Sequence, residues 1–384
     1  MTYLRKVCKQ VFTPRIWAFI ILSLIMSLTT ACRPASDKES AERMDALLSG
    51  LVSEGGPGAA VMVIRDGRVV YEGCRGVADL KTKRPIDRRT DFRLASVTKQ
   101  FTAAAVMLLV RDGKLRYDDK LTDIFPDFPE YGLAISVRNL LNHTSGLVDY
   151  EDLMASVDPS VPVEQAQIKD AEVLDLMKRQ TAGNFTPGSA WAYSNSGYVV
   201  LGLIVAKVSG LPFEDFLRAR IFQPLKMKDS VAFVRGKNEV PRRAFGHGKD
   251  KGLWRETDQS PTSATLGDGG VYSSLADLAK WDKALRNHSL LSEAEMLPAL
   301  TPVRVPAGPP IGPDGEPSAY GFGWFLDPWK GHERMWHYGE TIGFRTAIQR
   351  FPRDGLTVVV LANRSDFKAG PTALQAAGIY LDGR

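Results

Sequence analysis

Cysteine is scarce in this chain: three in 384 residues, at positions 8, 32 and 74. Two of them fall near the amino end, so no disulfide framework can staple the body, which must hold together by burying a core. Histidine is equally sparse for metal chemistry. The five, at 143, 247, 288, 332 and 337, include no His-x-x-x-His or comparable spacing, so neither a metal nor another cofactor is implied. Excess charge is lacking too, once position is considered. Four of the 49 basic residues (Arg5, Lys6, Lys9 and Arg15) lie in the first 31 positions, where there is no acid, and the remainder holds 45 basic against 44 acidic residues. A body so nearly neutral offers nothing to a phosphate backbone, and no nucleic-acid partner is implied. Internal repeats and low-complexity tracts are absent, which excludes solenoid and fibrous designs.

What is present begins with a leader. The four basic residues precede an uncharged run from Ile16 to Cys32 that ends Leu28-Thr29-Thr30-Ala31-Cys32. It is shorter than the roughly 20 residues of a comfortable spanning helix. Positive flank, apolar stretch and small residues in that order predict an export signal over residues 1–31. Cys32 resembles the acylated cysteine of a bacterial lipobox, with Thr29 where leucine is usual. That resemblance implies a lipidated first residue of the mature chain, a tether over 32–40, and a body over 41–384. The protein would then be exported, either periplasmic or anchored to the membrane by lipid and facing the cell exterior. Ordinary cleavage near the same bond and an uncleaved anchor are the alternatives. Cys74 alone remains in the body, where it reads as a small apolar strand residue.

Along the body, Met44, Leu47, Leu48, Leu51 and Val52 recur at helical spacing within 41–53. Two β-rich runs, 59–64 and 68–73, flank the turn Asp66-Gly67, and a second such pair, 346–351 and 356–362, flanks Arg353-Asp354-Gly355. A helix is predicted from Pro371 to Leu381. Helical patterns fill the middle, at 97–112, 137–141, 170–178, 197–209, 212–221 and 274–287, and the Pro- and Gly-rich stretch Pro302 to Pro317 reads as a surface loop. Strands at both ends with helices between them predict a mixed α/β fold, one sheet built from the two termini plus an inserted, mostly helical region.

Three short motifs carry chemistry. In Ser96-Val97-Thr98-Lys99, serine and lysine at i and i+3 share a helix face, so the amine can take the hydroxyl proton. A helix amino end there would also offer backbone N–H groups to an oxyanion. The same spacing recurs at Ser365 to Lys368, after a strand rather than at the head of an apolar helix. Taken alone, Ser96 would serve equally as an N-cap with an exposed lysine. Tyr193-Ser194-Asn195 supplies a phenol for proton relay and an amide to position a carbonyl. His337-Tyr338-Gly339 places a cationic or hydrogen-bonding residue on an edge strand, beside a glycine that would let a substrate backbone approach.

In this order, the three motifs resemble those of the serine β-lactamase and penicillin-binding family. Leu140-Leu141-Asn142-His143-Thr144-Ser145-Gly146-Leu147 and Gly269-Gly270-Val271-Tyr272-Ser273-Ser274 are similar to two further segments of that family, and the likeness runs over about residues 45–365. It implies an antiparallel sheet flanked by helices with an inserted α region. It also implies a serine hydrolase that forms an acyl-enzyme. Ser96 would be the nucleophile, with Lys99 and Tyr193 handling its proton. Asn195, His337, Gly339 and Glu340 would bind substrate, and the amides of Ser96 and Glu340 would form the oxyanion hole. His143 would stabilise the loop beneath the site. Histidine in the third motif resembles the D,D-carboxypeptidase, D-aminopeptidase and esterase branches rather than the class C β-lactamases with Lys-Thr-Gly. Small hydroxyl residues often sit near the substrate carboxylate in relatives, but Tyr338 and Glu340 stand there in this chain. Arg345 could offset the acid. The expected partner is a small ester, amide or D-amino-acid peptide, with a β-lactamase or an acylated sensor without turnover as alternatives.

Overall fold

The computed structural model describes residues 37–154 and 160–382. The predicted export signal and Cys32 lie outside the described residues. In chain order the strands are β1 (Ala59–Arg65), β2 (Arg68–Arg75), β3 (Phe92–Arg93), β4 (Val231–Ala232), β5 (His247–Asp250), β6 (Leu253–Glu256), β7 (Val271–Ser273), β8 (Met335–Thr341), β9 (Phe344–Phe351) and β10 (Leu356–Ala362). The longer helices are α1 (Asp37–Leu51), α2 (Lys99–Arg111), α3 (Asp170–Lys178), α4 (Asn195–Ser209), α5 (Leu275–Arg286) and α6 (Ala369–Leu381).

The main sheet runs β2-β1-β10-β9-β8, antiparallel at every pairing, so strands from the two ends of the chain meet at its centre with Val61 opposite Val360. The first hairpin turns on Asp66 and Gly67, at φ 49° and 80°, a conformation that glycine adopts without steric cost. Strand β1 reads as an unbroken apolar run because it is covered on both faces. Ala60, Met62 and Ile64 enter the large core shared with the middle helices, while Ala59, Val61 and Val63 pack with Met44 and Leu48 of α1 and Ala373 and Ala377 of α6. Removing one such buried side chain to alanine costs about 2–5 kcal/mol for a leucine-sized group.

Several boundaries differ from the sequence expectation. Helix α1 begins at Asp37, inside the stretch read as tether, and buries Ser40. The helix expected over 97–112 is divided into a 3-10 turn (Ala95–Thr98) and α2. The one expected over 212–221 is a short helix (Phe213–Leu217) followed by a wider π-type turn (Arg218–Phe222). Residues 302–317 form the exposed loop expected of them. Their tip folds back beside Phe325 and the edge strand β8, forming a wall of the cleft described below. The second small sheet, β3-β7-β4, delivers the chain to the 3-10 turn, and β8 packs on that turn from the other side.

Candidate active site

The turn that follows β3 is strained. Ala95 sits at φ 48°, in the left-handed region that side chains bearing Cβ seldom adopt, and such residues are enriched where geometry serves function. Its effect is specific. Between Thr90 and Leu109 every residue is buried except Ser96, whose hydroxyl reaches the cleft.

Lys99, one turn on, is completely buried. Its Nζ donates to Ser96 Oγ at 3.1 Å, to Asn195 Oδ1 at 2.9 Å and to the Asp268 carbonyl at 3.0 Å, and these three bonds match the three donors of an ammonium group. The rings of Tyr193 and Tyr198 stand 4.8 and 5.5 Å from the same nitrogen. The Tyr193 hydroxyl is buried with no hydrogen-bond partner among the described residues, so the free protein has no unbroken hydrogen-bonded path from phenol to serine. Catalytic hydrogen bonds often close only with substrate present.

Asn195 opens α4 after the N-cap Ser194. Besides accepting from Lys99, it donates from Nδ2 to Glu151 Oε1 at 3.3 Å, and its backbone N–H bonds Asp149 Oδ2 at 2.7 Å. Asp149 and Glu151, along with Asp268, were missed by sequence reasoning; the only signal was the acidic run Asp149-Tyr150-Glu151-Asp152 just past the Leu147 motif. Burial raises the Glu151 carboxyl above its ordinary range, and the neighbouring Asp149 and Asp268 add to this. The Tyr150 hydroxyl donates to Asp268 Oδ2 at 3.2 Å, tying this acidic group to the segment that holds Lys99.

His337 lines the same cleft from β8, and of the cationic and hydrogen-bonding characters left open by the sequence it has the second. Burial, then the charge of Lys99, pushes its imidazole down to about 3, so the ring is neutral at ordinary pH. Nδ1 lies 2.7 Å from the Tyr338 carbonyl, which can only accept, so the proton is on Nδ1 and Nε2 accepts from the Tyr320 hydroxyl at 3.3 Å. Gly339 also plays a different part from the one expected. A Cβ there would stand 2.1 Å from the Leu94 carbonyl oxygen and 2.2 Å from Thr346 Oγ1. The backbone it admits is the protein's own, closing β8 onto the turn that carries Ser96, where Thr346 Oγ1 also donates to Leu94 O at 2.7 Å.

Glu340 and Arg345 are directly opposite on β8 and β9, and their side chains pair at 3.7 Å. Glu340 remains 72% exposed at the cleft mouth, while the Arg345 guanidinium also bonds the carbonyls of Thr341 and Phe344. Arg345 therefore offsets Glu340 without itself lining the chamber that contains Ser96. Along β8, Trp336 exchanges bonds of 2.9 Å with Phe325 on the side away from β9, so strand alternation turns the amides of Tyr338 and Glu340 toward that same open edge. An edge amide from Glu340 and the Ser96 amide at the head of its turn make a pair of donors suited to an oxyanion.

Beneath the site His143, at φ 60° and buried, accepts the Ser194 N–H on Nδ1 at 3.2 Å and stacks on the Tyr193 ring with centroids 4.4 Å apart. Burial holds it well below the ordinary histidine range, so it too is neutral. Ser365 does not join these groups: it lies between β10 and α6, with its amide bonded to the His247 carbonyl. Cys74 is a partly buried residue of β2, its thiol pushed up to about 12 chiefly by burial. A larger cavity, of about 600 Å³ and lined by Lys169, Asp170, Phe233 and Arg235, contains none of the motif residues.

The Beta-lactamase family pattern matches residues 41–380. Penicillin-binding protein 4* of Bacillus subtilis (strain 168) is 33% identical over 320 residues, covering 80% of this chain and 68% of its own length. A D-aminopeptidase of Brucella anthropi is 29% identical over 318 residues, 80% of this chain but only 56% of the relative. Among solved structures, D-amino acid amidase from Ochrobactrum anthropi SV3, complexed with L-phenylalanine amide, superposes with a TM-score of 0.73 at 28% identity, covering 91% of this chain and 98% of that one.

Proposed function

The chain belongs to the Beta-lactamase family and is a serine hydrolase of that fold, and from this premise we propose that it cleaves amides or esters of amino acids through an acyl-enzyme on Ser96. The observation that carries the reading is the contact of Lys99 Nζ with Ser96 Oγ at 3.1 Å, in a segment where Ser96 alone reaches the cleft. Ser96 Oγ attacks the carbonyl carbon while its proton passes to the neighbouring Lys99 and Tyr193 pair, which returns it to the leaving group. The resulting oxyanion is held by the amides of Ser96 and Glu340. Collapse expels an amine or alcohol, which takes up the proton, and water then hydrolyses the ester to free Ser96. His337, as a neutral ring, contributes shape and a hydrogen-bonding surface rather than charge.

Acidic groups set the substrate class. Glu151 and Glu340 both line the chamber that holds Ser96, and Arg345 offsets only Glu340. An acyl group with a free ammonium is favoured there, and one ending in a carboxylate is disfavoured by like-charge repulsion. Names such as D-aminopeptidase and D-amino acid amidase among the relatives support this reading. A β-lactam, with its obligatory carboxylate, fits this electrostatic setting less well. A sensor that acylates and stalls would release one equivalent of leaving group and then stop, so burst kinetics separate it from an enzyme.

The deciding experiment compares anilides of free and N-acetylated D-amino acids, a peptide ending in D-Ala-D-Ala, and a chromogenic cephalosporin. The free amine should lead its acetylated twin by about 10-fold or more in kcat/KM, and Glu151→Gln should erase most of that lead. A preference for the acetylated or carboxylate-bearing substrate would overturn the assignment. We further propose that residues 1–31 direct export and that Cys32 is acylated, which Cys32→Ser followed by cell fractionation tests. Among the described residues no single helix is long and apolar enough to cross a membrane.

A further inference from the structure

The chamber in front of Ser96 has a volume of about 480 Å³, within the range of small-molecule sites. Much of its wall is apolar and is built from two places far apart in sequence. Trp191, Tyr193, Phe325 and Tyr338 supply rings, and Ile311 with Pro313 closes the side facing solvent. The rings brace one another: Trp191 and Phe325 have centroids 6.4 Å apart, and Trp191 and Tyr320 5.8 Å.

The segment that brings Ile311 here is tied down rather than loose. Its amide at Ala307 donates to the Ser189 carbonyl at 3.1 Å, two residues before Trp191, and the Val303 amide donates to Tyr320 O at 2.8 Å. The neck is closed by Gly312 N to Glu316 O and Ser318 N to Pro310 O, both 2.8 Å, and by a bridge between Ile311 and Pro317. Ile311 nevertheless leaves 48% of its surface exposed, so a large aliphatic side chain is held at the cleft mouth without a protein partner covering it. A substrate group of matching size and polarity would cover it and gain the hydrophobic contact.

We propose that Ile311, with Trp191 and Phe325, forms a side-chain pocket that makes this enzyme selective for acyl groups bearing a bulky apolar, preferably aromatic, side chain. The inference rests on the reading of Ser96 as nucleophile and adds to it the determinant of size. A benzyl group entering the chamber meets ring edges and faces on one side and Ile311 on the other, whereas a methyl group leaves that wall wet. In a hydrophobic pocket each methylene-sized difference changes kcat/KM by about 10-fold or more.

The test compares D-phenylalanine and D-alanine p-nitroanilides. Wild type should prefer the benzyl side chain by about 10-fold or more, with the difference mainly in KM. Ile311→Ala should lower that ratio by about 5-fold, and Ile311→Trp, which narrows the chamber, should lower it further by excluding the larger ring. Ile311 is half exposed on a loop, so both variants should fold, which matching melting curves will verify. A wild-type ratio near one, or a ratio unmoved in both variants, overturns the pocket. Labelling by a fluorophosphonate probe, located by mass spectrometry, keeps the two ideas separate. Ser96 labelled with a flat ratio defeats the size determinant alone, and an active wild type left unlabelled at Ser96 defeats the nucleophile.

Discussion

Lys99 touches the Ser96 hydroxyl directly, whereas the Tyr193 ring stands beside Lys99 with its own hydroxyl unbonded among the described residues. Lys99→Ala should therefore cost acylation several orders of magnitude, and Tyr193→Phe about 10²-fold. If both groups handle the same proton, as proposed, the double variant should lose much less than the product of the two, as measured by single-turnover acylation. Fully multiplicative losses would argue for independent roles. His337 gives a second residue-scale expectation. With its imidazole depressed to about 3 it stays neutral throughout the working range, so it cannot supply an inflection in kcat/KM between about pH 5 and 8. His337→Gln should lower activity while leaving the acid limb in place, and a limb that moves would restore the cationic role. The motif made His337 legible as a site residue. Its charge state was not legible, because that depends first on burial and then on the nearby charge of Lys99, neither of which spacing along the chain encodes.

At the scale of elements, strand pairing was largely readable. Unbroken apolar runs at both ends of the chain demanded cover on two faces, and β1 and β10 provide the centre of the sheet that receives it. The division of the nucleophile's helix was not readable, because it follows from Ala95 in the left-handed region and from Thr346 bonding back to Leu94 across 252 positions. The inward fold of 302–317 was hidden for the same reason, its root being tied to Ser189 and Tyr320. Gly339 makes this coupling testable. Gly339→Ala would drive a Cβ into the Leu94 backbone oxygen, which cannot swing away, so β8 must separate from the turn that presents Ser96. We expect at least about a 10²-fold loss of kcat, since small misplacements of a catalytic group have that cost. Gly50→Ala, where an added Cβ meets nothing within 4 Å, is the control and should leave the rate unchanged, with a melting temperature at or above wild type because alanine favours helix α1. Equal behaviour of the two variants would remove Gly339 from the account.

For the whole molecule, buried acids impose a pH dependence on stability. Asp91 is fully buried, its Oδ2 accepting the Arg242 amide at 3.1 Å, and burial pushes its carboxyl up to about 8, with Asp229 and Asp277 adding to the shift. Asp170 is raised to about 8 as well, again chiefly by burial. A carboxyl whose folded pKa exceeds its unfolded one binds more protons in the native state. Its contribution is full below about pH 4 and is lost as the pH climbs toward 8. Asp91→Asn keeps an oxygen acceptor and removes the charge, so its stability advantage over wild type should grow across that window, on the order of a few kcal/mol by pH 9. Urea melts at pH 4.5 and 9 would show it, and a constant difference would refute it. The sheet order, finally, dictates when this protein can fold during its synthesis. Strand β1 is made well before β10, the partner that covers its open edge, because the whole helical middle of the chain lies between them. Until β10 emerges, β1 carries an unpaired edge, so completion of the sheet has to wait for the second group of strands. Chains released before Met335 should therefore be held by chaperones or lost to aggregation, whatever the quality of their helical middle.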